Sequence, residues 1–170
     1  MHGKQVKREC RHHDNYRVSD SDYYLADIYL QDITCFVTAF SNDEFMGDST
    51  TVRNIFDTIP NAIIGMNGDY YSNNVHGLVV RNGITYVNRV SGYWDIALLD
   101  SAGRVDDISV RQAEESRAQR HRRLPDMGVR PRLLDADGDA KRSFRSKVLP
   151  HNPRSVLGYY EPGHYAFLLG

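Results

Sequence analysis

A group of polar and aromatic residues follows a short apolar run near the middle of the chain. The run covers residues 62–66 (Ala-Ile-Ile-Gly-Met), and the residues after it are Asn67, Gly68, Asp69, Tyr70 and Tyr71. Amide and carboxylate groups can hydrogen-bond sugar hydroxyls, tyrosine rings offer flat faces to a sugar, and glycine allows a ligand close to the backbone. These residue types indicate a carbohydrate site, for which a hydrogen-bonded turn with its tyrosines in the core is the structural alternative.

Two further side chains suit such a site. His76 precedes a second apolar segment and could act as a general acid or base, although a lone histidine often has only a structural role. Arg154 lies directly after Pro153 and before a strand-like segment. Its guanidinium carries a fork of donors that matches two phosphate oxygens, which suits phosphate binding; an ordinary surface charge is the alternative.

The sequence predicts no metal site and no cofactor. Residues 135–139 (Asp-Ala-Asp-Gly-Asp) superficially resemble a calcium loop, but the EF-hand pattern needs glycine at its sixth position and glutamate at its twelfth. Here Gly138 is fourth and Ser146 is twelfth, so the segment predicts a turn. Cys10 and Cys35 share no metal-ligand spacing, and two thiols are favoured over a disulfide between them.

The size and charge of the chain limit the classes of function. Its 170 residues fit one domain with a substantial core. A net charge of −1 gives no indication of a nucleic-acid or membrane partner. The sequence contains no run of about 18 apolar residues, so no membrane-spanning helix is predicted. Residues 1–5 lack the apolar segment of a signal peptide, so no export signal is expected in the sequence as given.

Most of the sequence has the pattern of β-strands, which must position these residues. Strands are predicted at Tyr23–Leu30, Ile33–Phe40 and 62–66, where apolar, β-branched and aromatic residues dominate. One helix is predicted between them. Ser49 or Thr50 would cap it, Pro60 would end it, and the apolar residues at helical spacing are Val52, Ile55, Phe56 and Ile59.

Turn residues predict how several strands pair. Leu78–Val87 predicts a hairpin about Asn82-Gly83, because both residues tolerate positive φ, and a second hairpin would turn at Pro162-Gly163. Asp95–Asp100 is a further predicted strand that turns at residues 101–103, and another strand would precede the Asp-Gly turn in residues 132–141. Together these features predict an α+β fold with a mostly antiparallel sheet and few helices.

Residues 111–132 depart from this pattern. They contain seven arginines and no lysine, and few apolar residues precede Leu124. A helix of this composition would be polar on every side and would lack a face that docks on a core, so a solvated loop or a loosely attached helix is predicted. An arginine-rich arm that binds RNA is disfavoured, because no aromatic residue lies between the arginines to stack on bases.

Three ordered motifs make the chain similar to the phosphodiester glycosidase family. They are the apolar strand ending in Asn-Gly-Asp-Tyr-Tyr (67–71), the segment Gly-Leu-Val-Val-Arg-Asn-Gly (77–83) and the segment Asn-Pro-Arg-Ser-Val-Leu-Gly-Tyr-Tyr (152–160). Residues 23–33 and 133–138 also resemble family segments, so the similarity covers about residues 20–169 apart from the arginine-rich segment. The family contains the enzyme that uncovers mannose 6-phosphate by removing N-acetylglucosamine from a phosphodiester.

The resemblance implies hydrolysis of a sugar that is linked through phosphate. The implied partner is a sugar-phosphate or phosphodiester-linked glycan, and the implied location is extracellular or in the cell envelope. Glycosidases commonly use two carboxylates; Asp69 is the candidate catalytic one, whereas Glu161 is interpreted as a structural residue on a tight turn. Arg154 would bind the phosphate close to Asn67 and Asp69. The other expected ligand-binding residues are Asn67, Gly68, Tyr70 and His76.

Two departures from the family pattern lead to further expectations. The family continues past the Tyr-Ala-Phe-Leu-Leu strand (165–169) into a helix and an Asn-Leu-Asp-Gly-Gly-Gly-Ser motif. We therefore expect an incomplete single domain at residues 20–170, after an N-terminal extension or first strand at 1–19, with impaired turnover. The family also has Phe-Gly-Pro where residues 129–131 are Val-Arg-Pro. Read one base later, and with a CGN codon for Arg130, residues 126–131 can encode a tryptophan, one further residue and then Phe-Gly-Pro, so residues 111–130 are interpreted as a frame-shifted insert.

Two main hypotheses about function follow. The leading one is a phosphodiester-glycosidase-like hydrolase whose turnover is impaired by truncation. The alternative is a noncatalytic carbohydrate- or sugar-phosphate-binding module that uses the same residues. A nucleic-acid-binding protein is the least favoured class.

Overall fold

The fold consists of antiparallel strands with few helices. The computed structural model describes residues 8–18, 20–68, 77–81, 84–89, 95–109, 123–127, 133–143 and 152–170. In chain order its elements are β1 (Arg8–Val18), β2 (Ser21–Leu30), α1 (Val52–Thr58), β3 (Gly77–Arg81), β4 (Ile84–Arg89), β5 (Asp95–Asp100), β6 (Val105–Ser109), β7 (Arg123–Met127), β8 (Ser155–Glu161) and β9 (His164–Leu169). Every strand pair among the described residues is antiparallel, and α1 is their one α-helix. The predicted α+β class with a mostly antiparallel sheet is confirmed.

The chain divides into two compact units. The first contains residues 1–67, 102–104 and 152–170, and the second contains residues 68–101 and 105–151. None of the helices described in either unit has the length and hydropathy of a transmembrane span. The predicted domain boundaries at residues 1–19 and 20–170 stay predictions.

The first unit is built on a four-stranded sheet with the order β1-β2-β9-β8. Strands β8 and β9 form the predicted hairpin, and Gly163 at its turn has φ +87°. A Cβ at this position would lie 2.7 Å from the Leu30 carbonyl oxygen, so both the backbone conformation and the close approach of β2 require glycine. This hairpin is confirmed as predicted.

The core of the first unit is formed by residues of β2 and β9. Ala26, Ile28, Tyr165 and Ala166 are buried there. The Tyr165 hydroxyl donates a hydrogen bond of 2.5 Å to the carbonyl oxygen of Gly103. This bond gives the buried Gly103 carbonyl oxygen a donor and the buried Tyr165 hydroxyl an acceptor.

Two predicted strands of the first unit are not formed, which corrects the sequence-based prediction. Ile33–Cys35 form a 3-10 turn that Asp32 caps, and no strand occupies residues 36–40. Phe36 instead packs edge-on against the ring of Phe167. Residues 62–66 also form no strand, and their side chains alternate between exposed and half-buried. In both segments the apolar residues serve packing rather than strand pairing, and composition alone does not separate these two uses.

Helix α1 forms where it was predicted, but with a different cap. The Thr51 side chain accepts a hydrogen bond from the Asn54 backbone N–H, so neither Ser49 nor Thr50 is the capping residue. Thr50 accepts from the Asn54 side-chain amide instead. Three adjacent hydroxyl residues all suit a cap, and the actual start of the helix decides which one acts.

The second unit contains a two-stranded and a three-stranded sheet. Strands β3 and β4 pair antiparallel as predicted, whereas the turn residues Asn82-Gly83 lie outside the described residues. Strand β5 lies between β6 and β7. Its residues Leu98 and Leu99 are buried, as is Val79 of β3. The predicted strand Asp95–Asp100 is confirmed.

Two further predictions in the second unit are wrong. Within the segment predicted as a loop or loose helix, Arg123–Met127 form strand β7 on the edge of the three-stranded sheet. An edge strand needs no apolar face for its backbone pairing, and it tolerates Pro125, which lacks an N–H. The rest of 111–132 lies outside the described residues. Before the Asp-Gly turn, a single bridge between Leu134 and Ala140 replaces the predicted strand.

The structure also confirms that residues 135–139 form a turn. The Asp135 carboxylate accepts hydrogen bonds from the backbone N–H groups of Asp137 and Asp139, at 3.0 and 2.9 Å. This carboxylate therefore stabilises its own turn. The side chain of Cys10 lies outside the description, so the favoured thiol state of Cys10 and Cys35 stays a prediction.

Replacing Thr51 with Ala is expected to lower the free energy of unfolding by about 1 kcal/mol, because the Asn54 N–H loses its acceptor. Ser49→Ala, at an exposed neighbour that does not cap, should change it by less than about 0.5 kcal/mol. Urea unfolding followed by circular dichroism measures both variants. A larger effect at Ser49 than at Thr51 would contradict the assigned cap.

Replacing Tyr165 with Phe is expected to lower the free energy of unfolding by about 1–3 kcal/mol, because the buried Gly103 carbonyl loses its donor. The matched control is Tyr160→Phe, since Tyr160 is 63% exposed and keeps its ring contacts as phenylalanine. Both variants can be compared by denaturant unfolding. Equal stability of the two would show that the Tyr165 hydroxyl does not support the core.

Candidate functional site

The first unit brings together two segments that the sequence separates widely. Asn67 follows the apolar run, and its side-chain Oδ1 accepts a hydrogen bond of 2.5 Å from Ser155 Oγ, 88 positions further along the chain. Ser155 is the first residue of β8 and directly follows Arg154. The bond therefore places Asn67 beside the start of β8, where the phosphate-binding residue was predicted.

Arg154 is held in place by the end of the β8–β9 hairpin. Its backbone N–H donates a hydrogen bond to the Gly170 carbonyl oxygen. The Gly170 N–H donates a hydrogen bond of 3.0 Å to the Arg154 carbonyl oxygen in return. The guanidinium Nη1 donates to the Pro153 carbonyl oxygen at 3.1 Å. The residue is half-buried, and its two backbone bonds to Gly170 fix its position at the end of the sheet.

Three of the predicted site residues lie outside the described residues: Asp69, Tyr70 and His76. Their roles, and the predicted proximity of Arg154 to Asp69, stay predictions. Gly68 is described and exposed, and among the described residues, its chain neighbours aside, no atom comes within 4 Å of the position that a Cβ would take there. The space beside Gly68 is compatible with the close approach of a ligand that was predicted for this residue.

A cavity of about 350 Å³ adjoins Asn67 in the first unit. Its walls come from three parts of the unit: β1 and β2, the start of α1 with the apolar run, and the end of β9. The lining residues are Asp14, Asn15, Tyr24, Leu25, Ala26, Val52, Ile64, Gly65, Met66, Asn67, Phe167, Leu168 and Leu169. We call this space the Asn67 cavity. Its volume lies in the range of small-molecule pockets.

One carboxylate of the Asn67 cavity has an identified hydrogen-bond donor. The Tyr16 hydroxyl donates to Asp14 Oδ2 at 2.7 Å. This bond raises the pKa of Tyr16 above its ordinary value, because ionisation of the phenol removes the proton that forms the bond. Desolvation and the charge of Asp14 raise the pKa as well. The bond therefore orients Asp14 in the wall of the cavity.

A second polar cluster lies around the other end of the β8–β9 hairpin. His164 Nε2 lies 2.7 Å from Asp27 Oδ1, and the imidazole stacks between the rings of Tyr29 and Tyr160 with centroid distances of 4.2 and 4.3 Å. Ring stacking of this kind stabilises cross-strand pairs. We interpret the cluster as structural, because both faces of the imidazole are covered.

Ser155 and Asp14 lie near the site but were not predicted from the sequence. Ser155 occurs inside the motif that identified Arg154, so its position was visible, but no local signal pairs it with Asn67. Asp14 occurs in a polar stretch of β1 without any motif. Its place in the cavity wall depends on sheet pairing, since β1 aligns Asp14 with Leu25.

No protein-family model matches the chain, and no curated protein shows significant similarity to it. The resemblance to phosphodiester glycosidases therefore depends on the sequence segments described above.

Replacing Asp14 with Ala is expected to lower the pKa of Tyr16 towards its ordinary value, because the acceptor that favours the protonated phenol is removed. NMR titration of ¹³C-labelled tyrosine measures this change. Asp20→Ala removes an exposed carboxylate from the same unit and should leave the Tyr16 titration unchanged. An unchanged Tyr16 pKa in Asp14→Ala would show that the bond does not form in solution.

Proposed function

We propose that the chain binds and hydrolyses a sugar-phosphodiester, with Asn67 and Arg154 in contact with the ligand. The observation that supports this proposal is the hydrogen bond between Asn67 and Ser155. It joins two of the three motifs shared with the phosphodiester glycosidases, although they lie far apart in the sequence. Two motifs that both contribute to one ligand site must meet in the fold. A chance similarity in sequence would not require the two motifs to meet.

The chemistry of the two side chains supports a ligand that is part sugar and part phosphate. Asn67 offers amide N–H donors to hydroxyl or carbonyl oxygens, while its Oδ1 is oriented by Ser155. The Arg154 guanidinium carries a positive charge and several donors, which suits a phosphate. Under this proposal Asp69 supplies the catalytic carboxylate, as the resemblance implies, and Gly68, Tyr70 and His76 complete the sugar site.

A noncatalytic sugar-phosphate-binding module is the second candidate, and one observation favours it. Asn67 and Ser155 bring an amide and a hydroxyl to the start of β8, and the neighbouring Arg154 carries a guanidinium. These groups bind ligands, whereas general acid–base catalysis requires a group that exchanges protons, such as a carboxylate or an imidazole. Hydrolysis therefore depends on Asp69 or His76 as a proton-exchanging group, whereas binding requires no such group.

Replacing Arg154 with Ala is expected to weaken binding of N-acetylglucosamine 1-phosphate by about tenfold to a hundredfold, because a charge-assisted hydrogen bond to the phosphate is lost. Isothermal titration calorimetry measures this change. The matched control is Arg53→Ala, since Arg53 is exposed on α1 and pairs only with Asp57 among the described residues. Equal affinity of wild type and Arg154→Ala would overturn the phosphate-binding role.

A second assay separates the two candidate functions. Release of N-acetylglucosamine from its methyl phosphodiester, lost in Asp69→Asn while binding persists, would support the hydrolase. Binding that requires Arg154 without any release would support the binding module. Absence of both binding and release would overturn the proposed function.

A further inference from the structure

The Asn67 cavity has a composition that differs from that of a sugar site. Most of its wall is apolar, and its lining residues include Leu25, Ile64, Met66, Phe167 and Leu169. Sugar rings carry several hydroxyl groups around their edges, and these groups would lose their hydrogen bonds to water against such walls. An alkyl or aryl group would lose no hydrogen bonds and would gain the free energy of apolar burial.

The polar lining residues restrict how a ligand could lie in the cavity. The polar lining residues are Asp14, Asn15 and Asn67, together with Tyr24. None of the lining residues is a lysine, an arginine or a histidine, so a phosphate inside the cavity would lose its hydration without gaining a cationic partner. A phosphate must therefore lie outside it.

The end of β9 connects the cavity with the predicted phosphate residue. Leu169 lines the cavity, and the next residue, Gly170, exchanges two backbone hydrogen bonds with Arg154. Asn67 belongs to the cavity wall and is also bonded to Ser155, the neighbour of Arg154. A ligand with its phosphate at Arg154 can therefore direct a substituent past Asn67 into the apolar space.

We propose that the Asn67 cavity binds an apolar aglycone, so that the preferred ligand is a sugar-phosphodiester whose second ester group is alkyl or aryl. The proposal rests on the proposed function for the sugar-phosphate half of the ligand. The apolar half rests only on the cavity. An alkyl chain in this space would displace water from apolar walls and leave the phosphate at the charged end of the site.

The test compares the methyl and octyl phosphodiesters of N-acetylglucosamine 1-phosphate by calorimetry, with octyl glucoside as a probe without phosphate. The octyl diester should bind at least about tenfold more tightly than the methyl diester, since burial of about two methylene groups already gives this ratio. Equal affinity of the two diesters, with binding that still requires Arg154, would overturn the inference and leave the proposed function intact. Binding of octyl glucoside as tight as that of the octyl diester would support the cavity and contradict the phosphate site.

A cavity-filling variant tests where the alkyl chain binds. Val52 lines the cavity at the first residue of α1 and is 38% exposed, so Val52→Trp should fill the space without burying a new group in the core. This variant should lose the preference for the octyl diester and keep its affinity for the methyl diester. The matched control is Val37→Trp, since Val37 is 55% exposed and does not line the cavity.

An octyl preference retained in Val52→Trp would overturn the proposed location. Thermal unfolding shows whether each variant is folded, and the comparison of ligands on the unmodified chain remains decisive if one is not.

Discussion

The pairing of β9 with β2 on one side and β8 on the other is the constraint on which the first unit depends. Tyr165 of β9 is fully buried, and its hydroxyl reaches the Gly103 carbonyl. The turn before β9 passes so close to Leu30 of β2 that only glycine fits at position 163. These contacts join three distant parts of the sequence within one unit.

The candidate site is a consequence of this sheet. Strand β8 begins where β9 ends, so Arg154 is paired with Gly170 and Ser155 is aligned with Leu169. Ser155 donates a hydrogen bond to the side chain of Asn67, which lies in the segment that follows α1. The same end of β9 supplies part of the wall of the Asn67 cavity. The polar contacts and the apolar space are thus positioned by one strand end, which is why we assign them to one ligand.

Agreement between sequence and structure was best where a local rule applied. Pro162-Gly163 specifies a turn through its own backbone preferences, and the pairing of β8 with β9 follows from it. The apolar spacing of α1 likewise predicts a helix without reference to other residues.

Prediction failed for Ile33–Phe40 and for 62–66, where aromatic and branched residues were interpreted as strands. Phe36 packs on Phe167, and Ile64 and Met66 line a cavity, so their hydrophobicity reflects tertiary packing. It failed again at Arg123–Met127, because an edge strand is held by backbone pairing that composition does not reveal.

For the candidate site, residue types and local motifs are enough to show which residues carry suitable chemistry. Asn67 and Arg154 were identified by type, neighbours and motif, because donor groups and charge are properties of single residues. The fold alone shows that Asn67 meets Ser155, that Asp14 lines the same space, and that this space is largely apolar. Those facts depend on contacts between residues separated by tens of positions, and no local preference encodes them. The α+β class was predictable because it is a sum of local patterns, whereas the site is a product of their assembly.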